Sequence, residues 1–354
     1  MRATQAVFAL ALAVTASASP VGHPGKPGGH AGPGKPGPPK GGCKPGPDDG
    51  KFDYDALSLR EVGGRNTLEW RVWLEHKCQP ISFWHDVPLY PDESEPAIVN
   101  AVVEIPRWEN GKIEIRRPEP LNPIFHDDRN DAPRFVESVW PHKTYPFVYG
   151  SIPQTWENPN VNHSFTEAPG DNDPIDFFDI GQDVGYVGQV KQVKILGGLA
   201  PNDGGETDWK VLVIDVNDPI AEFINDWEDV EKYRPGVTQA FRDWFTYYKV
   251  ARGDDLIPIV GETYQSASYI IDEVIPTGHQ YWKDLISGDE DAGEVNFNQT
   301  SFPEYDSYVA PGETTRSFEL PRESRPEPAA PKPSEYEEWY YLDEEYQLID
   351  QEAE

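Results

Sequence analysis

Between Leu68 and Glu75 the chain reads LEWRVWLE, and its alternation puts Leu68, Trp70, Val72 and Leu74 on one face of a strand. IVNAVVEI follows the same period of two. Asn100, Val102 and Glu104 fall on one side, with Val99, Ala101, Val103 and Ile105 on the other. In KIEIR, Lys112 and Glu114 oppose Ile113 and Ile115. YVGQVKQVKIL and WKVLVID also read as strands, and in the latter Trp209 and Lys210 face opposite ways. The period then changes. Val237, Phe241, Trp244, Phe245 and Tyr248 form one apolar helical stripe. Ala267, Ile270, Ile271 and Val274 predict a second helix over roughly 266 to 275, ended by Pro276. Strands first and helices after predict an α+β domain over residues 51–290, a small closed barrel flanked by helices.

The two ends are of a different character. Residues 1–18 carry Arg2, an apolar run and the small residues Ala16 and Ala18, the pattern of a secretory signal peptide too short to span a membrane. Residues 19–50 form a Gly/Pro-rich leader with no means of building a core, expected to be disordered. Residues 291–354 are Pro-rich and then acidic, so a mostly solvated tail is expected. Its exception is EYEEWYYLDEEYQLI, where Trp339, Tyr340, Tyr341 and Leu342 would dock on the body or on a second subunit. The oxidising route permits a disulfide between Cys43 and Cys78, against two free thiols. The sequons at Asn162 and Asn298 fit export.

The formal net charge of −32 argues against nucleic acid or an anionic membrane as partner. It leaves room for a small anion, because bound cations invert a local field. GDNDPIDFFDIG, from Gly170 to Gly181, crowds Asp171, Asp173 and Asp176 around Pro174. Such carboxylates ionise together only with compensation, so the cluster reads first as a site for a hard divalent ion. A calcium loop fails, since Ile175, Asp176 and Gln182 stand where it needs an oxygen ligand, Gly and Glu. An aspartyl nucleophile of the haloacid-dehalogenase type would need an apolar strand leading in, and TEAPG is not one. A glycosyltransferase D-x-D stays open. A second acidic group follows with Asp203, Glu206 and Asp208 beside Lys210. Lys112, Arg134, Tyr145, Tyr149, Tyr248 and Lys249 are singly unremarkable, but together they are the inventory of a phosphate site. Eight His and two Cys form no recognisable triad or zinc motif.

DNDPID, VVEIPRW, KIEI, NPNV, GQVKQVK, GETDWKV and DVEKY together closely resemble the soluble family I inorganic pyrophosphatases of eukaryotic type, over roughly residues 58–288. Phe177, after the third Asp, replaces the smaller aliphatic residue usual there, and a packing adjustment is expected. The resemblance implies an OB-like five-stranded β-barrel flanked by helices, with disordered N- and C-terminal extensions in this chain. It implies hydrolysis of pyrophosphate to two phosphates by direct attack of a metal-bridging water, with about three to four Mg²⁺ per active site when substrate is bound. Asp171, Asp176 and Asp208 would hold the tightest Mg²⁺, and Asp176 would share a second. Asp203 with Asp208 would take a third, and Glu114 would help to hold a fourth. Asp173 would be the general base. Lys112, Arg134, Tyr149, Tyr248 and Lys249 would grip the phosphoryl groups, and Glu104, Tyr145 and Lys210 would support the site. Members are typically cytoplasmic homodimers, whereas the signal peptide here implies export; Trp108 and Trp339 are candidates for a dimer contact. The competing readings are an inactive binding or scaffold protein on the same fold, and another metal-dependent enzyme of the secretory route.

Overall fold

A computed structural model describes residues 52–291 and 293–349. The expected signal peptide, the leader and Cys43 lie outside the described residues; Cys78 has no free thiol. The elements that place the site are, in chain order, β1 (Leu57–Gly64), β2 (Arg71–His76), β3 (Ile98–Ile105), β4 (Ile113–Ile115), β5 (Ile124–His126), β6 (Val148–Ser151), β7 (Asp176–Asp179), β8 (Val190–Leu199) and β9 (Lys210–Asp215), then helices α1 (Val237–Tyr247) and α2 (Ile275–Ser287).

Five strands close on themselves in the order β9-β7-β6-β3-β8, with β8 pairing back to β9. β9 runs parallel to β7, and the other pairs are antiparallel. Closure leaves no free edge. A second sheet, β1-β2-β5-β4, stands beside the barrel. Apolar side chains on the two faces of the barrel strands feed two cores. Val102, Tyr149, Phe178 and Leu212 pack with Trp244 and Phe245 of α1 and with Trp70, Val72 and Leu74 of the second sheet. Val99, Ala101, Val103, Phe177 and Val211 pack against the helical stretch at Ile270 and Val274. Phe177 is fully buried, so its larger ring is accommodated.

Ile105 departs from the expected alternation: it joins the core of Val102, not that of Val103. The cause is a bulge. Tyr149 pairs with Ile105 and Gly150 with Val103, which leaves Glu104 as the extra residue. A Cβ on Gly150 would sit 2.0 Å from the Val102 carbonyl oxygen, so only glycine permits this approach. The helix expected to stop at Pro276 instead continues. Ala267–Tyr269 is α-helical, Ile270–Val274 forms a π turn, and α2 carries on through Pro276 to Ser287. Ile275 N–H donates to the Ile270 carbonyl five residues back. The wider turn accommodates a proline ring that would crowd a regular α-turn.

The C-terminal segment is less free than the solvated tail expected from its composition. Arg325–Glu327 adds a parallel strand beside β1, and Trp339–Tyr340 pairs with Ser138–Val139. Buried Arg60 ties the segment down, donating to Glu75 (2.8 Å), Thr315 Oγ1 (3.0 Å) and the Pro321 carbonyl (2.8 Å). Side chains here stay largely exposed while the backbone finds partners, which is why an acidic composition did not foretell order. Tyr340 and Leu342 dock on Val139, Tyr247 and Val250, the aromatic anchorage the sequence suggested.

Candidate active site

The acidic stretch enters β7 through a turn that its own chemistry builds. Asp171 Oδ1 accepts the Asp173 N–H at 3.0 Å, and Asn172 takes the left-handed conformation at φ 72°. Three main-chain bonds lace this turn to the segment at 157–158. Gly170 N–H donates to Asn158 O (3.0 Å), Asn172 N–H to Glu157 O (3.0 Å), and Glu157 N–H to Asp173 O (2.9 Å). Glu157 is thereby held against the turn. It, Asp171 and Asp208 each offer a carboxylate oxygen within 4.8 Å of the other two.

Parallel pairing of β7 and β9 sets Asp176 opposite Lys210. The Lys210 ammonium donates to Asp176 Oδ2 and Asp208 Oδ1, both at 2.5 Å, and to the Tyr149 hydroxyl at 2.9 Å. Tyr149 also donates to Asp176 Oδ2. The bulge aims Glu104 into the same region, where Oε1 accepts from Ser151 Oγ (3.0 Å) and Ile115 N–H (3.2 Å). Around this cage stand the expected cations, each beside an acid. Lys112 pairs with Glu114 at 2.5 Å, Arg134 with Asp127 at 2.8 Å, and Lys249 with Asp203. Tyr145 packs 5.4 Å from the Tyr149 ring and 5.0 Å from Trp244, on which Tyr248 stacks at 4.3 Å.

The electrostatics follow from crowding away from water. Burial, then Asp208 and Asp173, push the Asp171 carboxyl well above the usual range; burial, then Asp171 and Asp208, do the same to Glu157. Asp208 rises through burial, with Lys210 opposing, and Glu104 through burial and Asp176. Asp173 is pushed up to about 7 by burial, with Arg117 pulling the other way. Burial would lower Lys112, Lys210 and Arg134, but the acids beside them outweigh it and all three are raised. Lys249 is lowered by burial despite Asp203.

Contacts and mutual electrostatic effects thus link the fourteen side chains given site roles in the sequence, whereas Glu206 of the second acidic group is exposed. Three more belong with them. Glu157 is a lone acid between Trp156 and Asn158, directly ahead of the quoted NPNV, and only the lacing described above brings it in. Asp127 is Arg134's partner, and Arg117 lies 3.3 Å from Asp173 Oδ1. The donor set fits a hard divalent ion. It is all oxygen, burial first and then the neighbouring acids raise Glu157 and Asp171, burial also raises Asp208, and among the described residues Glu157 Oε2 is buried with no hydrogen-bond partner.

A closed barrel carrying caged carboxylates beside lysine, arginine and tyrosine donors defines a protein that holds divalent cations against an oxyanion. Comparison with known proteins makes the class specific. The sequence profile of the inorganic pyrophosphatases matches residues 101–283. The inorganic pyrophosphatase of Zygosaccharomyces bailii is 44% identical over 290 residues, covering 81% of this chain and 98% of that one. That of Kluyveromyces lactis is 47% identical over 258 residues, covering 72% and 89%. The solved inorganic pyrophosphatase of Schistosoma japonicum superposes with a TM-score of 0.73 at 37% identity, covering 81% of this chain and all of its own. The chain belongs to the inorganic pyrophosphatase family.

Proposed function

We propose that this chain hydrolyses inorganic pyrophosphate to two phosphates with Mg²⁺, using the residues gathered in the cage. The observation that carries the proposal is the convergence of Glu157, Asp171 and Asp208 within 4.8 Å, next to the Asp176–Lys210–Tyr149 cluster. Asp171, Asp176 and Asp208, joined by Glu157, would hold the first ions. Asp203 and Glu114 would complete a set of about three to four when substrate is bound. Bound Mg²⁺ supplies neutralisation of the substrate and a lowered pKa for water, from 15.7 toward about 7.

The chain's own residues do the rest. Lys112, Arg134, Tyr149, Tyr248 and Lys249 bind the two phosphoryl groups, and Lys112, Tyr149 and Lys249 would thereby free Glu114, Asp176 and Asp203 to hold cations. Asp173 takes the proton from the attacking water. The water's O–H bond breaks as the Asp173 O–H bond forms, a new P–O bond forms on the far phosphoryl group, and the bridging P–O bond breaks with its electron pair staying on the leaving phosphate. Partial burial, which raises Asp173 in the metal-free chain, makes its carboxylate a better proton acceptor than a fully solvated one. Lys112, Arg134 and Lys249 stabilise the charge that gathers on the leaving group. Glu104, Tyr145 and Lys210 hold the donors in place. An inactive scaffold role gains nothing from the site, where no expected side chain is lost.

Two further parts of the proposal rest on sequence and surface. The N-terminal pattern supports export of a catalytic domain spanning 51–290. Trp108 is half exposed, and with Trp339 it supports a homodimer contact. Among the described residues no helix is long and apolar enough to cross a membrane. Phosphate release from pyrophosphate by the purified chain, with Mg²⁺ and with a chelator, tests the activity, and a nucleotide sugar in parallel tests the glycosyltransferase alternative. Turnover of pyrophosphate no faster than an Asp173→Asn control would refute it.

A further inference from the structure

The turn that carries Asp173 fixes its backbone but not its side chain. Among the described residues the carboxylate has one ion-pair partner, Arg117. Arg117 lies two residues after β4. Its Nη1 lies 3.3 Å from Asp173 Oδ1 and donates to the Asp171 carbonyl at 3.1 Å. One guanidinium nitrogen thus contacts both the side chain of Asp173 and the backbone of the turn that presents it. The two side chains are about equally open, 35% and 39% exposed, so they meet at the mouth of the site and not in its floor.

Arg117 is itself held from behind. Its carbonyl accepts from Asn296 N–H at 2.8 Å and from Asn122 Nδ2 at 3.1 Å. Asn122 is fully buried, and its Nδ2 also donates to the Asn296 carbonyl at 2.8 Å, while its Oδ1 accepts from Ser82 Oγ at 2.8 Å. The clamp therefore reaches from the C-terminal segment, beyond the expected domain end at 290, through Arg117 to the Asp173 carboxylate.

We propose that Arg117 is a positioning residue for the reaction: its guanidinium selects the Asp173 rotamer that faces the attacking water, and the Asn122–Asn296 clamp holds Arg117 in register. The proposal rests on the reading of Asp173 as general base. A carboxylate on two rotatable bonds otherwise samples several orientations, and misplacement of a reacting group by about 1 Å costs on the order of 100-fold in rate. Arg117 touches neither substrate nor metal in this role, so its loss acts on kcat and leaves binding alone.

The test is a double-mutant cycle in the full chain with Mg²⁺ and pyrophosphate, reading kcat, KM and Mg²⁺ affinity for Arg117→Ala, Asp173→Asn and the double variant. Arg117→Ala is expected to lower kcat by about 10- to 100-fold, with KM and Mg²⁺ affinity within about twofold of wild type. Arg117→Lys, which keeps the charge and the fold, should recover part of the loss, and millimolar guanidinium should rescue Arg117→Ala. In the Asp173→Asn background the Arg117→Ala change should alter kcat less than about twofold. If Asp173→Asn is crippled and Arg117→Ala multiplies the defect independently, the positioning role is wrong and the base assignment stands. If Asp173→Asn keeps wild-type kcat, the base assignment falls and takes the positioning role with it. Wild-type kcat in both Arg117 variants would also overturn the proposal.

Discussion

Gly170→Ala is the sharpest perturbation of the cage, because it adds one methyl group and alters no carboxylate. A Cβ at Gly170 would lie 2.2 Å from the Glu157 carbonyl carbon, 2.3 Å from its oxygen and 2.7 Å from Asn158 N. All three are backbone atoms, so no side chain can rotate away. Ordinary contact begins near 3.4 Å, which leaves an overlap of 3.4 − 2.2 = 1.2 Å to be relieved by separating the two segments. They are laced by the bonds Gly170–Asn158, Asn172–Glu157 and Glu157–Asp173, each worth about 1 kcal/mol. Loss of one or two bonds, with overpacking, predicts destabilisation of about 2–4 kcal/mol. The same shift moves Glu157 from Asp171 by about 1 Å, and displacement of that size predicts a turnover loss on the order of 100-fold. Calorimetric Mg²⁺ titration, thermal melting and phosphate release on purified Gly170→Ala give the three readouts. Gly312→Ala, where an added Cβ meets nothing within 4 Å, is the control and should behave as wild type. A Gly170→Ala variant with wild-type melting, Mg²⁺ affinity and turnover would refute the claim that this contact sets the cage.

Glu157→Gln should weaken Mg²⁺ binding by about 10-fold while raising the stability of the metal-free protein, because it removes one of three crowded acids without changing shape; calorimetry and melting read the two opposite signs. The raised carboxyls of Asp171 and Glu157 give a pH signature. Between about pH 4 and their folded values the native chain holds protons that the unfolded chain has released, so metal-free stability falls as pH rises through that window. Mg²⁺ displaces those protons, so its stabilising effect grows over the same window and its binding acidifies unbuffered solution; melts at several pH values with and without Mg²⁺, and a pH-stat titration, measure both.

Much of this architecture is legible in the chain. Barrel strands β3, β8 and β9 announce themselves by alternation, and α1 by its stripe from Val237 to Tyr248, because both are local periodicities imposed by a one-sided core, whereas β6 and β7, four residues each, are too short to show a period and are not among the strands read from the sequence. The acidic turn is legible for the same local reason, with Asp171, Asp173 and Asp176 contiguous. What escapes a linear reading depends on contacts between distant segments. The face of Ile105 is switched by a bulge that exists because Gly150 stands opposite it. Pro276 stays inside a helix because a π turn precedes it, a device with no sequence periodicity of its own. Glu157 has no acidic neighbour in sequence and joins the cage only through main-chain bonds to residues 170–173. The C-terminal segment orders through backbone pairing, which composition does not encode, and one of its bonds ends on Arg117.

The central claim is a division of labour inside one acidic cluster: some carboxylates hold cations and one moves a proton. Parallel Mg²⁺ titrations and pyrophosphate turnover on Asp208→Asn and Asp173→Asn test it most directly. The account predicts that Asp208→Asn loses tight Mg²⁺ binding and turnover together, whereas Asp173→Asn binds Mg²⁺ nearly as wild type and loses turnover by at least about 100-fold. Equal loss of Mg²⁺ affinity in both variants, or turnover retained in Asp173→Asn, would contradict it.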